Sequence, residues 1–177
     1  EEPEDSSFFL LVYACVIISG AAALVYEVVW ARKLAQFLGI TAYAHAAVLT
    51  AFMAGLALGS YLIGAKADRI ANPLRAYALL ELGIGIYAFG TLFLFGWAEA
   101  VYVVVAQNIG VSGLAAHAFR FGLALLLLLV PTFLMGGTLP LLVRGFAHEG
   151  IQLGKLTARL YGLNTLGATL GAFLGGY

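Results

Sequence analysis

The sequence predicts an all-α, polytopic membrane bundle of about five helices, and three observations support that fold class. Hydrophobic residues make up 63% of the 177-residue chain and charged residues only 10%, whereas a soluble domain carries about 25% charged residues. The chain contains repeated apolar runs of roughly 20 residues, which is the length that a helix needs to cross the hydrocarbon core of a membrane. The alternating ten-residue segments typical of an outer-membrane barrel are absent. The formal net charge of zero gives no indication of nucleic-acid binding.

Five apolar runs mark the predicted membrane domain, residues 8–177, and an acidic tail at residues 1–7 precedes it. The charge of this tail is opposite to that of a signal peptide. Because the last run is still apolar at Tyr177, we expect further chain beyond it. The predicted spans are residues 8–30, 42–63, 74–97, 119–143 and 156–177.

Two connections between spans are themselves rich in apolar residues. Residues 31–41 form an amphipathic segment that is expected to lie along the membrane interface. Residues 98–117 predict either a short interfacial helix or an extension of the third span.

The distribution of Lys and Arg predicts the orientation, because connections rich in these residues stay in the cytoplasm. The second and fourth connections contain Lys66, Arg69, Arg75, Arg144, Lys155 and Arg159. The first and third contain Arg32, Lys33 and Arg120. The N-terminal tail is therefore predicted to be cytoplasmic.

Small residues at helical spacing predict close helix contacts. Gly55 and Gly59 form one G-x-x-x-G face, and Gly167, Gly171 and Gly175 form a longer one. Such faces let helix backbones approach where lipid provides no hydrophobic drive. We expect these faces to be packing seams, or seams along which helices also slide during a conformational cycle. The two faces are candidates to contact each other.

Glu81 is an acidic residue inside the third predicted span. A charge at the centre of a span costs about 2.5–3.5 kcal/mol on insertion scales and usually faces protein or water. Glu81 is therefore a proton or cation site, a structural partner for Arg144 or Arg159, or a protonated acid.

Glu27 is the acidic residue of the first span, close to Trp30, which is predicted to anchor at the interface. It is expected either to reach the interface, to pair with Arg32 or Lys33, or to line an outward-facing cavity.

The fourth span contains two prolines and two adjacent glycines. Proline removes a backbone donor and clashes with the preceding turn, so this stretch predicts either a broken helix that exposes backbone groups to a substrate or a kink used in packing. The residues of this possible site are Pro131, Thr132, Gly136, Gly137, Thr138 and Pro140. On the fifth span, Asn164, Thr165 and Thr169 are predicted to add polar lining or interhelical hydrogen bonds.

The loop GAKADRIANPLR, residues 64–75, joins the second and third spans and is rich in charge. Pro73 disfavours helix at the preceding residue, so the third helix is expected to begin at or just after Pro73. Asp68 is expected to pair with Arg69 and Arg75, joined by Arg144 and Arg159, in a structured latch. The alternative is an ordinary solvated loop.

The residues Gly64, Asp68 and Arg69 of this loop resemble the loop signature of major facilitator transporters. Most of the chain is similar to the membrane region of bacterial fused spermidine-synthase-like proteins, which is distantly similar to part of a major facilitator N-terminal half. The similar segments are YEVVWARKL (26–34), AFMAGLALGSYLIGAKADR (51–69), LRAYALLELGIG (74–85), PTFLMGGTLPLLVR (131–144) and LYGLNTLGATLGAFLGGY (160–177).

The resemblance implies a bacterial inner membrane location and a soluble aminopropyltransferase-like domain beyond Tyr177. Two functions compete for the membrane region itself. It is a scaffold embedded in lipid that contacts other membrane helices, or it transports a small solute such as a polyamine. No strand–glycine-loop–helix unit predicts a nucleotide cofactor, so no cofactor is expected. Cys15 is alone, and the three histidines lack ligand spacing, so no metal or catalytic site is expected.

Overall fold

The computed structural model describes residues 3–38, 42–109, 113–147 and 152–177. These residues are 95% helical and contain no strand, which confirms the all-α prediction. The helices are α1 (Pro3–Leu38), α2 (Ala42–Ala67), α3 (Pro73–Ile109), α4 (Gly113–Phe146) and α5 (Leu153–Gly176). Helices α1 to α4 are long and apolar enough to cross a membrane, so the fold is that of a membrane protein.

The limits of all five helices differ from the predicted spans, most of all at the C-terminal ends of α1 and α3. Helix α1 continues to Leu38, because Leu34 and Ala35 are buried and hold residues 31–38 in the bundle instead of along the interface. Helix α3 continues to Ile109, so the first part of residues 98–117 extends the third span, which was one of the two predicted alternatives. Helix α5 is long enough to span but is not among the helices apolar enough to do so.

The turn between α2 and α3 forms around Asn72 and Pro73. The Asn72 Oδ1 atom accepts a 3.1 Å hydrogen bond from the backbone N–H of Arg75, which caps the start of α3. Pro73 occupies the first helical position, where its missing N–H leaves no partner unsatisfied. The third helix therefore begins at Pro73, as predicted.

Two parallel helix pairs carry most of the packing, α1 with α5 and α2 with α4. Helix α3 packs antiparallel against α4. The α1–α5 pair packs only loosely against α2, α3 and α4.

Glycines line both parallel pairs and allow their backbones to touch. A methyl group added at Gly167 or Gly171 would overlap the carbonyl oxygen of Ile17 or Ala21, and one at Gly175 would lie 3.3 Å from the Val25 Cα atom. We call this row the α1–α5 seam.

The second row of close contacts, the α2–α4 seam, joins different glycines. Added methyl groups at Gly55 and Gly59 would overlap Thr132 and the carbonyl oxygen of Phe133. On the opposite side, one at Gly136 would overlap the carbonyl oxygen of Leu56. The two predicted glycine faces therefore do not contact each other, and the suggested pairing between them was wrong. The α2 face lies against α4, and the α5 face lies against α1.

Trp30 lies in the core, 2% exposed, and is not an interface anchor. Its ring stacks on Tyr26 with centroids 5.5 Å apart, and its indole N–H donates a 3.2 Å hydrogen bond to the Thr91 hydroxyl. An aromatic residue with a satisfied polar atom is stable in a core, so its position near the end of a predicted span was misleading.

Candidate functional site

Helix α4 runs unbroken through both of its prolines, so residues 131–140 do not form the broken helix that was one of the two predicted alternatives. Pro131 has no N–H to donate to the carbonyl oxygen of Leu127. The Tyr87 hydroxyl on α3 donates to that oxygen instead, at 2.7 Å. Outside support of this kind lets a membrane helix contain proline without breaking.

The other residues of this stretch divide between packing and a cavity. Thr132 is fully buried against Gly55 and donates to the Leu128 carbonyl oxygen at 2.6 Å. Gly137 lies against Ile63. Thr138 donates to the Met135 carbonyl oxygen at 2.7 Å and lines a cavity.

That cavity, of about 170 Å³, lies where all five helices meet and contains Glu81. We call it the Glu81 cavity. The Ser19 hydroxyl on α1 donates a 2.6 Å hydrogen bond to the Glu81 Oε1 atom. The Tyr77 hydroxyl, one turn before Glu81, interacts with both side chains. The carboxyl group of Glu81 is thus held by side chains of α1 and α3.

Asn164 on α5 supplies a further polar group to the Glu81 cavity. Its side-chain oxygen and backbone carbonyl lie against Gly20, where an added methyl group would not fit. The remaining walls are mainly apolar and include Phe52, Leu56, Ile84 and Met135.

Thr165 and Thr169, predicted as polar lining, are exposed and lie away from the cavity. The Thr169 hydroxyl donates to the Thr165 carbonyl oxygen at 2.9 Å. Because a threonine can satisfy its hydroxyl within its own helix, it need not face a polar partner.

The arginines expected near Glu81 have other partners. The Arg144 Nε atom pairs with the Asp68 Oδ1 atom at 2.9 Å. The Arg159 guanidinium lies 4.7 Å from the centroid of the Tyr13 ring. No Lys or Arg is among the cavity residues that the structure describes, so the predicted Glu81–arginine pair is not formed there.

Glu27 is half-buried on α1 and lies outside the Glu81 cavity. Within the described ranges it forms no ion pair with Arg32 or Lys33. The Arg32 guanidinium donates instead to the Gly176 carbonyl oxygen, at 2.8 Å.

Of the four arginines expected around Asp68 in the loop latch, Arg144 forms the ion pair. Asp68 pairs with Arg144 and not with Arg69 or Arg75. The side chain of Asp68 is 87% exposed and that of Arg144 is 41% exposed, so this is a surface pair. Gly64 lies nearby, and a methyl group there would meet Pro140 at an ordinary 3.6 Å.

Sequence reasoning identified Glu81, Thr138 and Asn164 separately, but not that they line one cavity. It missed Ser19 and Tyr77. Ser19 precedes Gly20 in an apolar run. A serine next to a glycine in such a run indicates a polar contact where another helix comes close.

No cluster of three or more His, Cys, Asp or Glu that could hold a metal lies among the residues described. His45 and His117 are exposed, and His148 lies outside the described residues. Comparisons with protein-family models, curated proteins and solved structures find no match to this chain.

Proposed function

We propose that this chain is the membrane module of a small-solute transporter and that it binds a cation at Glu81. One observation carries the proposal, namely a carboxyl group held by Ser19 inside a cavity that all five helices line. An acid at such a depth is costly and is characteristic of ion and substrate pathways.

The electrostatics of the Glu81 cavity favour a cationic ligand. An ionised carboxylate in an apolar surrounding needs a positive partner, and none lies among the described lining residues. A proton or a bound cation supplies it. Ser19 and Asn164 can orient that ligand by hydrogen bonds.

The size of the cavity restricts the ligand. Its volume of about 170 Å³ is close to that of a cavity that holds one benzene molecule, roughly 150 Å³. A primary ammonium group with a short carbon chain fits this space. A polyamine would place one ammonium end at Glu81 and extend towards the bundle surface.

We also propose an orientation, a membrane and further domains for this module. The basic connections support a cytoplasmic N-terminus. The resemblance to bacterial spermidine-synthase-like proteins supports an inner-membrane location. The similarity to spermidine-synthase-like proteins supports a polyamine ligand and an aminopropyltransferase-like domain beyond Tyr177. Further membrane helices, from the same chain or a partner, would complete the transport path, since a full transporter has two larger halves.

The test uses the protein in nanodiscs with radiolabelled putrescine and spermidine. Wild type should bind at least one of them, and Glu81→Gln should weaken binding at least about tenfold, as expected for a lost charge-assisted hydrogen bond. Glu27→Gln is the matched control, since it removes an acid from a span outside the cavity, and should bind as wild type. Equal binding by Glu81→Gln and wild type would exclude Glu81 as the site.

A scaffold role is the second candidate, and the packing favours it. Both glycine seams hold their helices in backbone contact, while large apolar side chains of α3 and α5, such as Phe89 and Phe173, are exposed and can meet other membrane helices. If the protein binds no amine and migrates as a larger complex on native gels, the scaffold role is the better explanation.

A further inference from the structure

A second cavity, of about 450 Å³, opens between α1 and α3 and lies outside the Glu81 cavity. It is lined on one side by Lys33 and Gln36 of α1 and on the other by Glu99 of α3. The hydrogen-bonded Trp30 and Thr91 lie at its inner wall. We call it the α1–α3 cleft.

The cleft lies at the depth of lipid headgroups. Glu99 is roughly 39 Å along α3 from Pro73 at about 1.5 Å per residue, which exceeds the roughly 30 Å of a hydrocarbon core. Trp97, exposed and two residues away, is an aromatic residue of the type that marks the interface. The charged end of the cleft is therefore at the polar boundary opposite the Asp68–Arg144 pair.

The two charges of the cleft are opposite and do not neutralise each other. Lys33 and Glu99 are both exposed, and no ion pair within 4.0 Å joins them in the described structure. A ligand with one negative and one positive group could bridge them. Lys33, helped by the Gln36 amide, would take the negative group, and Glu99 the positive one.

The remaining surface of the cleft is apolar and continues towards lipid. Leu92 is 72% exposed and Val29 is 43% exposed, and Phe95 and Leu127 extend the same surface. The cleft thus offers two charges at the interface and an apolar wall directed into the membrane, which matches a headgroup followed by an acyl chain.

We propose that the α1–α3 cleft binds a phospholipid whose headgroup carries a phosphate and a primary ammonium, as in phosphatidylethanolamine. The phosphate lies at Lys33 and the ammonium at Glu99. A primary ammonium donates hydrogen bonds to a carboxylate and a trimethylammonium group does not, so Glu99 discriminates between ethanolamine and choline headgroups. This inference is independent of the solute bound at Glu81.

The test is partial delipidation of the purified protein, followed by native mass spectrometry after incubation with phosphatidylethanolamine or phosphatidylcholine of matched chains. Wild type should retain phosphatidylethanolamine about tenfold more strongly, the expected size of a charge-assisted hydrogen bond. Glu99→Gln should abolish that preference while keeping phosphate-dependent binding. Lys33→Gln should weaken retention of both lipids.

Two controls make the result specific. Lys66→Gln removes a lysine at the other end of the bundle, and Glu81→Gln removes the acid of the Glu81 cavity, so both should retain the wild-type preference. Equal retention of the two lipids by wild type, or an unchanged preference in Glu99→Gln, would overturn the proposal. A thermal melt of each variant shows whether it is folded, and the exposed positions of Lys33 and Glu99 favour that outcome.

Discussion

The hydroxyl group of Tyr87 donates a 2.7 Å hydrogen bond to the carbonyl oxygen of Leu127, four residues before Pro131. That carbonyl has no partner within its own helix, because proline has no N–H. A side chain of α3 thus repairs the backbone of α4 at the place where the sequence suggests a break.

Tyr87→Phe should therefore destabilise the protein by about 1–3 kcal/mol, because it leaves a partly buried acceptor without a donor. Reversible unfolding in detergent measures this change. The decisive comparison is the double variant with Pro131→Ala, which restores an N–H for Leu127. In that background Tyr87→Phe should have little further effect, and an equal loss in both backgrounds would show that the hydrogen bond does not compensate for the proline.

Gly171→Ala should destabilise the protein by about 1–3 kcal/mol or more, as overpacking does, because the added methyl group meets the carbonyl oxygen of Ala21. Gly162→Ala is the matched control on the same helix, since a methyl group there has open space around it. It should be neutral or stabilise by up to about 1 kcal/mol through helix propensity. Similar melting temperatures for the two variants would contradict the α1–α5 seam.

The Asp68–Arg144 pair should contribute little to stability. A double-mutant cycle with Asp68→Asn and Arg144→Gln should give a coupling energy of about 0–1 kcal/mol, as for exposed pairs, and high salt should reduce it further. A coupling well above that range would mean that the pair is shielded from solvent in the membrane. A change in solute flux without a change in melting temperature would identify the pair as a gate.

Single cysteines at Asn72 and Gln152, in a Cys15→Ser background, test the topology. The native cysteine must be removed because it is exposed. Both new positions are exposed and at the same end of the bundle, so an impermeant thiol reagent should treat them alike. We expect both to be shielded in intact cells. Labelling of both would reverse the orientation, and labelling of only one would contradict the fold.

Much of the fold could be predicted from properties of single helices. Apolar length located the helices, Pro73 marked the start of α3, and the repeats around Gly55 and Gly171 marked close contacts. The limits of α1 could not be found in this way, because Leu34 and Ala35 are buried by neighbours that a single-helix pattern does not reveal.

The candidate site was less predictable because it depends on pairings between distant residues. Glu81 was recognisable as an acid in an apolar run. Its contact with Ser19 joins α1 to α3, and the role of Tyr87 joins α3 to α4, so neither appears in the pattern of one helix. Charge alone left Arg144 with two possible partners, Glu81 and Asp68, and only the structure shows that it pairs with Asp68.

The two glycine seams divide the bundle into two closely packed blocks of helices. Each seam brings the backbones of one helix pair into contact, and α3 packs on the α2–α4 pair, whereas the two resulting blocks pack more loosely on each other. The Ser19–Glu81 hydrogen bond crosses the boundary between the blocks, and the Glu81 cavity lies on it. Shear between these blocks would therefore change access to the carboxyl group without unwinding a helix or separating either pair of glycine-packed backbones.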